Sequence, residues 1–293
     1  MPSSAPDAVL GAAPDQPWTI EPIRPGVAAS LRELWSYRRL SQFFAVESIK
    51  ALYEGTGLGI FWLFARPLLP ILISTFIFGG LMGAQSDGLP YFLFNLTTTS
   101  VWMLFERSVL WATKSLDSQS SMLKKLYFPR ILVPLTSVAP ALAYFGIYLA
   151  LIVGTAVYYL IRGHRWYLAL GPGWLVAFGA ALLSVLLAVA IGLFTSVWQA
   201  KYKDVRFGLR YVMRFWFYLT PVLYPMSQVP PNLHWVIYIN PMASIVETFK
   251  WGILGVGQFP GLPLVASVLI MLVVGSLGVW FFTRKVAATV DEM

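Results

Sequence analysis

The sequence contains no cysteine among its 293 residues, so disulfide frameworks, thiolate catalysis and cysteine-ligated metal sites are excluded. Histidine is almost as rare. The only two, His164 and His234, lie far apart without ligand-like neighbours, and no metal site is expected. The phosphate-binding pattern G-x-x-x-x-G-K-[ST] is also missing, so the chain cannot itself be a P-loop ATPase.

Charged residues are scarce at 12% of the sequence, whereas soluble domains carry about 25%. Hydrophobic residues make up 58% and aromatic residues 16%, so the chain is expected to use lipid as its main solvent. The formal charge is +8, but the basic residues form short clusters between apolar runs. That pattern is typical of membrane topology and argues against nucleic-acid binding.

Acidic residues number only 13, and nearly all lie in the N-terminal stretch, in loops or near the ends of apolar runs. We find no paired carboxylates of the kind that a glycosidase needs. There is also no series of acids within the apolar runs, which a proton-coupled carrier would use. A transporter built from this chain would therefore depend on a partner for its energy.

Six apolar stretches are predicted to cross a bilayer, which needs about 20 helical residues. The fifth is short, because Pro221 and Pro225 interrupt its outer end. The predicted fold is an all-α integral membrane protein with six transmembrane helices in one domain, residues 31–285. The spans lie near residues 60–82, 90–113, 132–160, 174–198, 211–226 and 262–283.

Lysine and arginine counts predict the orientation. With the N-terminus inside, fifteen of the 21 basic residues fall on the cytoplasmic side and three within the spans. Only Arg162, Arg165 and Lys250 fall on the opposite side, and this bias places both termini in the cytoplasm. Residues 1–30 lack a signal-peptide pattern and are predicted to be a disordered cytoplasmic tail, and residues 286–293 a short C-terminal one.

The segment at 31–54 alternates apolar and charged residues in a helical rhythm. It is predicted to be an amphipathic helix that lies in the cytoplasmic interface of the membrane. The alternative is a helix packed on other cytoplasmic loops.

The segment at 227–261 contains two short helical runs, 233–239 and 243–254, with a break at Asn240 and Pro241. Neither run is long enough to span a bilayer. We predict short re-entrant helices on the outer side that cap a pathway. An ordinary ordered external loop is the alternative.

Aromatic residues form a stripe in the fifth predicted span. Tyr211, Phe215 and Tyr218 share one helical face, and Tyr224 lies further out. Rings with hydroxyl groups can stack on sugars and exchange hydrogen bonds with them, so the stripe is a candidate substrate contact. Ordinary packing or an interfacial aromatic belt would produce the same residues.

Three ionisable residues lie within predicted spans at informative positions. Arg66, beside Pro67, is about two helical turns into the first span and could reach headgroup phosphates or an anionic substrate. Glu106 and Arg107 lie toward the cytoplasmic end of the second span. We interpret them as a local pair or as side chains that snorkel to the interface.

The loop between the second and third spans combines apolar and basic residues. Met122, Leu123, Leu126 and Tyr127 would share one side of a short helix beside two lysines. Such a helix fits a groove in a soluble partner. A basic topological anchor is the alternative, although it leaves the apolar residues unexplained.

Several short motifs follow one another in a specific order over residues 30–285. They are 53–59 followed by Phe61 and Trp62, then 66–69, 123–130 with 134–135, 203–206, 220–225, and 240–242 continuing to Glu247, Phe249 and 252–255. With this set the chain resembles the membrane subunit of bacterial polysaccharide-export ABC transporters. That group includes exporters of O-antigen, capsule and teichoic acid.

The resemblance implies a homodimer of six-span permease subunits in the bacterial inner membrane, with two separate ABC ATPase subunits on the cytoplasmic side. ATP and Mg²⁺ would bind at those ATPases, and no cofactor is expected on this chain. A polyprenyl-diphosphate-linked polysaccharide would enter at the inner leaflet and leave through the dimer interface. The long Pro/Ala-rich tail departs from the family pattern and has no assigned role.

The resemblance also implies roles for three groups of residues. The loop at 118–130 resembles the family's coupling helix, 31–54 its interface helix and 227–255 its external gate helices. The candidates are Met122, Leu123, Lys124, Lys125, Leu126 and Tyr127 for ATPase coupling, Trp235, Asn240, Pro241 and Glu247 for the gate, and Trp62, Arg66, Tyr211, Phe215, Tyr218 and Tyr224 for the substrate channel.

The resulting hypothesis is a channel-forming subunit that exports lipid-linked O-antigen, with teichoic acid or capsule as alternative cargoes. The chain alone is not expected to be an enzyme. An ABC efflux permease for small amphiphiles is the nearest rival. A membrane glycosyltransferase would need an external catalytic acid, and the candidates Asp87 and Glu247 are each predicted to lack a companion acid. A passive channel is disfavoured, since no ring of pore-lining charge occurs.

Overall fold

The structure is a computed structural model that describes residues 36–50, 61–123, 128–163 and 165–291. Every regular element within these ranges is helical, in agreement with the all-α prediction. The expectations for residues 1–30, for the motif at 53–59 and for Lys124, Lys125, Leu126 and Tyr127 lie outside the described residues.

The described residues form eleven α-helices. A π-helical segment, Thr75–Leu81, continues the second helix, and two 3₁₀ turns, Met226–Gln228 and Pro231–Leu233, precede the ninth. The helices are α1 Arg38–Lys50, α2 Phe61–Ser74, α3 Tyr91–Ser118, α4 Ser120–Leu123, α5 Leu132–Thr136, α6 Ala139–Gly163, α7 Gly173–Lys201, α8 Val205–Leu219, α9 His234–Tyr238, α10 Pro241–Leu254 and α11 Gly261–Asp291.

Four helical stretches in the described part of the chain are long and apolar enough to cross a membrane. They are Phe61–Leu81, Leu132–Gly163, Gly173–Lys201 and Gly261–Thr289. These stretches match the first, third, fourth and sixth predicted spans. The predicted total of six is not confirmed, because the other two segments form helices of a different character.

The second predicted span forms α3, which is long but comparatively polar. Its 28 residues extend about 42 Å at 1.5 Å per residue. Asn95, Thr99 and Ser100 in its first half are buried. The Asn95 amide donates to Ser74 Oγ at 2.6 Å, and the Thr99 hydroxyl donates to Asn95 Oδ1 at 3.0 Å. These polar groups in the first half of α3 are therefore paired inside the helical bundle.

The fifth predicted span is wrong at both of its boundaries. The helix observed there, α8, begins at Val205 and ends at Leu219, whereas the prediction was 211–226. Fifteen residues give a helix of about 22 Å, shorter than the hydrocarbon core of about 30 Å. The helix ends because Pro221 disfavours helical geometry at Thr220, whose φ of −100° and ψ of 138° are extended.

The centre of the fold is α7, which packs against α3, α10 and α11. The α7 and α10 backbones approach closely where Gly173 faces Gly252. A Cβ atom at Gly252 would lie 2.8 Å from Ala177 Cβ and would collide with the Gly173 carbonyl oxygen. Glycine at these two positions therefore permits the contact that holds α10 in the bundle.

The predicted amphipathic helix is present as α1 over its described length. It packs on α5 and α6, and Phe44 is its buried residue, with a ring centroid 5.9 Å from that of Phe128. Phe43 and Val46 remain exposed. The helix thus has one face on the protein and another that is free to meet the membrane interface, so features of both alternatives are present.

The break predicted at Asn240 and Pro241 separates α9 from α10, as expected. α10 ends at Leu254, and Gly255 takes the left-handed conformation with φ of 67° that commonly terminates helices. Twelve of the 14 residues of α10 are buried, mainly against α3, α7 and α11. This helix is an integral part of the bundle, whereas its predicted role as a gate stays a prediction.

We expect the substitution Gly252→Ala to destabilise the protein. Overpacking of a close contact costs about 1–3 kcal/mol, because the added methyl group meets the α7 backbone. The measurement is the thermal midpoint of the detergent-solubilised full-length chain, followed by size-exclusion chromatography with fluorescence detection.

The matched control is Gly154→Ala in α6, where an added Cβ atom meets no other atom within 4 Å. Alanine is favoured over glycine inside helices by roughly 0.5–1 kcal/mol, so this variant should melt at or above the wild-type temperature. Equal midpoints for the two variants would contradict the close-contact account.

Candidate functional site

Asn240 caps α10 at the point where the chain enters the bundle. Its Oδ1 accepts a hydrogen bond from the Met242 backbone N–H at 3.0 Å, and Pro241 occupies the first turn. Asparagine at this position satisfies an N–H that has no partner within the helix, and proline lacks an N–H of its own to satisfy. The predicted gate residues Asn240 and Pro241 therefore form a helix start.

The same Asn240 amide joins α10 to the end of α8. Trp216 Nε1 donates to Asn240 Oδ1 at 2.7 Å, and Asn240 Nδ2 donates to Thr220 Oγ1 at 2.8 Å. The Thr220 hydroxyl in turn donates to the Trp216 carbonyl at 2.8 Å. One side chain thus uses both its acceptor and its donor to fix two helix ends against each other.

The non-helical stretch after α8 is held by side chains of α3. Thr98 Oγ1 donates to the Val222 carbonyl at 2.7 Å, and the Tyr91 hydroxyl donates to the Leu223 carbonyl at 2.6 Å. Pro221 and Val222 are buried. Irregular backbone at membrane depth must be satisfied within the protein, and α3 supplies the donors.

The predicted aromatic stripe lies on the outer face of α8. Tyr211, Phe215 and Tyr218 are 64%, 71% and 60% exposed in the single chain. Tyr224 is half-buried beyond the helix end, and its hydroxyl donates to the Tyr218 carbonyl at 3.4 Å. The stripe therefore presents three rings outward, as a surface for a substrate, a second subunit or lipid.

The opposite face of α8 is also aromatic and packs on α3. The Trp216 ring lies 5.2 Å from Phe105, and the Phe217 ring lies 5.6 Å from Trp102, measured between centroids in edge-on geometry. Such pairs are worth about 0.5–1.5 kcal/mol beyond their buried area. This inner face orients the helix, so the direction of the exposed stripe is set by packing on α3.

The candidate residues of the first span, Trp62 and Arg66, lie on the exposed surface of α2. The Arg66 guanidinium lies 5.9 Å from the Trp62 ring centroid, and both side chains are exposed. Helices α2 and α8 each pack against α3. The proposed channel residues are therefore carried by two helices that share one support.

The described part of the predicted coupling loop at 118–130 comprises residues 118–123, which include α4, and residues 128–130. Met122 is half-buried, whereas Leu123 is 6% exposed and packs in a cluster with Phe44, Leu116 and Phe128. Leu123 thus anchors the loop to the bundle. The role of this loop at a partner stays a prediction.

Sequence reasoning missed a buried ion cluster formed by Asp87, Glu247 and Lys250. The Lys250 ammonium lies 3.0 Å from Asp87 Oδ2 and 2.8 Å from Glu247 Oε2. The Ser227 hydroxyl donates to Asp87 Oδ1 at 2.6 Å. The cluster thereby links the loop before α3, the loop after α8 and helix α10.

Burial makes the charges of this cluster interdependent. Lys250 is 0% exposed and Glu247 2% exposed, and the Lys250 ammonium also lies 5.5 Å from the Phe94 ring centroid. Burial raises the pKa of the Glu247 carboxyl above its ordinary value, while the nearby Lys250 ammonium opposes that shift. Glu247 and Lys250 can therefore stay charged in a buried position only because each is paired with an opposite charge.

The prediction that Asp87 and Glu247 each lack a companion acid is wrong. Both carboxylates bind the same Lys250 ammonium, so each acid lies close to the other. The i, i+3 spacing of Glu247 and Lys250 on α10 could have indicated the ion pair between them. The contact of Lys250 with Asp87 could not be predicted, because Asp87 lies 163 residues before Lys250 in the chain. Both carboxylates are committed to one buried lysine, which leaves them poorly placed for catalysis on a sugar.

Two charged residues of α3, Glu106 and Arg107, have aromatic partners. Trp102 Nε1 donates to Glu106 Oε2 at 3.0 Å, and the Arg107 guanidinium lies 3.9 Å from the Tyr144 ring centroid. Cation–π contact of this kind is attractive, and more so away from water. These contacts account for both side chains within the bundle, and neither side chain requires a substrate.

A comparison with protein families identifies the class to which this molecule belongs. The profile described as ABC-2 type transporter matches residues 41–254, which is most of the chain. The chain belongs to this family.

Curated relatives support the same assignment. The chain is 25% identical over 222 residues to an O-antigen export system permease protein, RfbA, of Myxococcus xanthus, covering 75% of this chain and 82% of the relative. It is 28% identical over 204 residues to an RfbA permease of Klebsiella pneumoniae, covering 70% and 76%. A second Klebsiella pneumoniae RfbA is 26% identical over 205 residues, with the same coverage.

These similarities confirm the resemblance found in the sequence motifs. The chain is an ABC-2 permease, the membrane subunit of an ABC transporter, related to proteins named as O-antigen export permeases. Its apolar helices agree with a membrane location. Members of this class are transport subunits, and association with an ABC ATPase follows from the family.

We expect Lys250→Met to destabilise the protein strongly. Removal of one partner from a buried ion pair costs about 3–5 kcal/mol, because Glu247 would remain buried, and Asp87 half-buried, without a counter-charge. The thermal midpoint of the solubilised chain should fall clearly, and adding Glu247→Gln in the same chain should recover part of the loss.

Lys203→Met is the control, since Lys203 is exposed just before α8. Removal of an exposed charge usually changes stability by less than about 0.5 kcal/mol. If Lys250→Met and Lys203→Met melted at the same temperature, the cluster would not stabilise the fold.

Proposed function

We propose that this chain is the channel-forming subunit of an ATP-driven exporter that moves a polyprenyl-diphosphate-linked polysaccharide, O-antigen, across the bacterial inner membrane. The single observation that carries the proposal is similarity over 70–75% of the chain to three relatives named O-antigen export system permease. The function of those proteins is transferred to this chain as a hypothesis about its cargo.

The proposed complex contains two copies of this chain and two ABC ATPase subunits. The ATPases bind ATP and Mg²⁺, and this chain binds no cofactor. Fifteen basic residues on one predicted side against three on the other support a cytoplasmic location for both termini and for the ATPases. In this arrangement residues 31–285 form a six-span domain. The second span is α3, and the fifth is α8 together with the non-helical stretch that follows Leu219.

The exposed face of α8 is the proposed glycan surface. Its outward rings, Tyr211, Phe215 and Tyr218, suit sugars, because aromatic faces stack on the apolar faces of sugars while hydroxyl groups exchange hydrogen bonds. Trp62 and Arg66 extend the surface on α2, where a guanidinium suits the diphosphate of a lipid-linked glycan. Tyr224 lies at the outer end of the same path.

The proposed outer gate consists of α9 and α10. Trp235 is 67% exposed on α9, whereas α10 is fixed in the bundle by Asn240, by Pro241 and by the ion cluster around Glu247. This contrast supports a gate in which α9 moves aside for the polymer while α10 stays fixed and supports α9. The loop containing Met122, Lys124, Lys125, Leu126 and Tyr127 is the proposed contact with the ATPase, with Leu123 as its anchor.

The proposal is tested by depletion of this protein in its own host, followed by localisation of lipid-linked glycan. We expect polymer to accumulate on the cytoplasmic side and to disappear from the cell surface. Unchanged surface glycan would instead favour an efflux permease for small amphiphiles. Loss of polymer synthesis would favour a glycosyltransferase, and accumulation of capsule or teichoic acid would change the cargo.

Alanine substitution in the stripe should reduce export without loss of assembly. A stacking ring is worth about 0.5–1.5 kcal/mol, so Tyr211→Ala, Phe215→Ala and Tyr218→Ala should each lower the export rate roughly two- to tenfold. The measurement is surface polymer per copy of permease. Val212→Ala, also exposed on α8, should export normally, and normal export by all three ring variants would remove the stripe from the pathway.

The coupling assignment predicts that Leu126→Asp and Tyr127→Asp uncouple transport from ATP hydrolysis. A carboxylate cannot enter an apolar cleft without a large desolvation cost. We expect at least about a tenfold loss of export, equivalent to about 1.4 kcal/mol, with weaker co-purification of the ATPase. Ser121→Asp, at an exposed position of the same loop, serves as the control. Full coupling in both test variants would show that the loop is misassigned.

A further inference from the structure

A cavity of about 360 Å³ lies between α1, the C-terminal end of α3 and the start of α5 and α6. Its volume falls at the lower end of the range for small-molecule pockets, about 300–1,000 Å³. Phe44 and Trp111 contribute apolar wall, and Ser48 of α1 contributes a hydroxyl group. The cavity is separate from the aromatic stripe and from the ion cluster described above.

The position of the cavity along the helices corresponds to the edge of the hydrocarbon core. Val133, Thr136 and Ser137 belong to the first six residues of the candidate span Leu132–Gly163. Ser115 lies in the last turn of α3. An amphipathic helix, α1, forms the remaining wall. A lipid headgroup is the chemical species that occupies this depth in a bilayer.

The polar part of the wall provides hydrogen-bond acceptors. The hydroxyl groups of Ser48, Ser115, Thr136 and Ser137 donate to backbone carbonyls of their own helices at 2.7, 2.7, 2.8 and 2.7 Å. A hydroxyl oxygen whose proton is already donated still has lone pairs that accept. These residues therefore add capacity for a ligand that carries N–H or O–H donors.

Lys114 is the charged side chain among the described residues of the lining, and it is exposed. An ammonium group on a flexible stem is a suitable partner for a phosphate. The lining also contains Ser118 and Gln119, whose hydroxyl and amide groups can donate to a phosphate. A free phosphate would be bound by these donors and by Lys114, but it would meet the oxygens of the other four hydroxyl groups with acceptors of its own. The wall as a whole thus favours a ligand with both a phosphate and a donor group.

We propose that this cavity binds the headgroup of a phospholipid that carries a primary ammonium group. The three N–H groups of the ammonium donate to hydroxyl oxygens from the set Ser48, Ser115, Thr136 and Ser137, and the phosphate pairs with Lys114. The start of the acyl region lies against Trp111 and Phe44. Such a lipid would bridge α1 to α3 and to the start of the third predicted span, next to the loop assigned to coupling.

The experiment compares lipids with matched acyl chains that differ only in the headgroup. The full-length chain is purified, exchanged into vesicles containing phosphatidylethanolamine, phosphatidylcholine or phosphatidylglycerol, and analysed by native mass spectrometry for retained lipid. Phosphatidylcholine has the same phosphate but no N–H donor. Since phosphatidylcholine cannot form the hydrogen bonds of the ammonium group, wild-type protein should retain phosphatidylethanolamine about fivefold or more over phosphatidylcholine.

Variants separate the two halves of the proposed site. Thr136→Val and Ser137→Ala should remove the preference for phosphatidylethanolamine over phosphatidylcholine, whereas Lys114→Gln should weaken both lipids equally. Thr283→Val is the matched control, because Thr283 is exposed on α11 and its hydroxyl also donates to a backbone carbonyl, that of Val279, at 2.9 Å. The control should retain wild-type selectivity.

Three outcomes would overturn the proposal. Equal retention of phosphatidylethanolamine and phosphatidylcholine would mean that the cavity does not recognise N–H donors. Preferential retention of phosphatidylglycerol would mean that Lys114 acts alone on anionic lipid. Selectivity that survives Thr136→Val and Ser137→Ala, or that is lost in Thr283→Val, would place the lipid elsewhere on the protein. None of these results depends on the transported cargo, so the proposed function is tested separately.

Discussion

The fold depends on one constraint, which is that backbone groups removed from water need hydrogen-bond partners inside the protein. The chain leaves helical geometry after Leu219, within a protein whose surroundings are mostly lipid. Thr98 and Tyr91 of α3 donate to the Val222 and Leu223 carbonyls, and Asn240 binds both Thr220 and the first turn of α10. This requirement accounts for Thr98 and Tyr91 on α3, a helix that is not among the four clear spans. A helix that must donate to an irregular neighbour cannot be uniformly apolar.

The polarity of α3 in turn determines how the other helices are arranged. A polar helix must be enclosed, and α2, α6, α7, α8 and α10 all pack on it. Enclosure of α10 requires a close approach to α7, which the Gly173 and Gly252 pair permits. With α10 fixed, its Glu247 and Lys250 reach Asp87 in the loop before α3, and the ion pairs join the loop to α10 at this end of the bundle. Local sequence choices and long-range packing are consistent here, as expected for a well-specified fold.

Much of this architecture could be predicted from the sequence, because proline, glycine and asparagine act locally. Asn240 with Pro241 predicts a helix start, Gly255 predicts a helix end, and long apolar runs predict the four clear spans. The predicted boundaries of the fifth span were wrong. The prediction followed the aromatic and apolar stretch, whereas the helix α8 begins before that stretch, at Val205. The ion cluster could not be predicted from the sequence, since Asp87 and Lys250 come into contact only through tertiary packing. The exposure of the α8 stripe was likewise set by the pairing of Trp216 and Phe217 with α3, which periodicity alone does not reveal.

The distribution of buried charge also bears on the source of energy. Proton-coupled transport needs intramembrane acids that can change charge during the cycle. In the described part of the chain, Glu106 accepts a hydrogen bond from Trp102, and Glu247 is paired with Lys250 at 2% exposure. Protonation of Glu247 would weaken a buried ion cluster, and such a change would cost stability before it moved any substrate. Glu106 and Glu247 are therefore held in structural contacts, which is consistent with membership of a family whose permeases associate with an ABC ATPase.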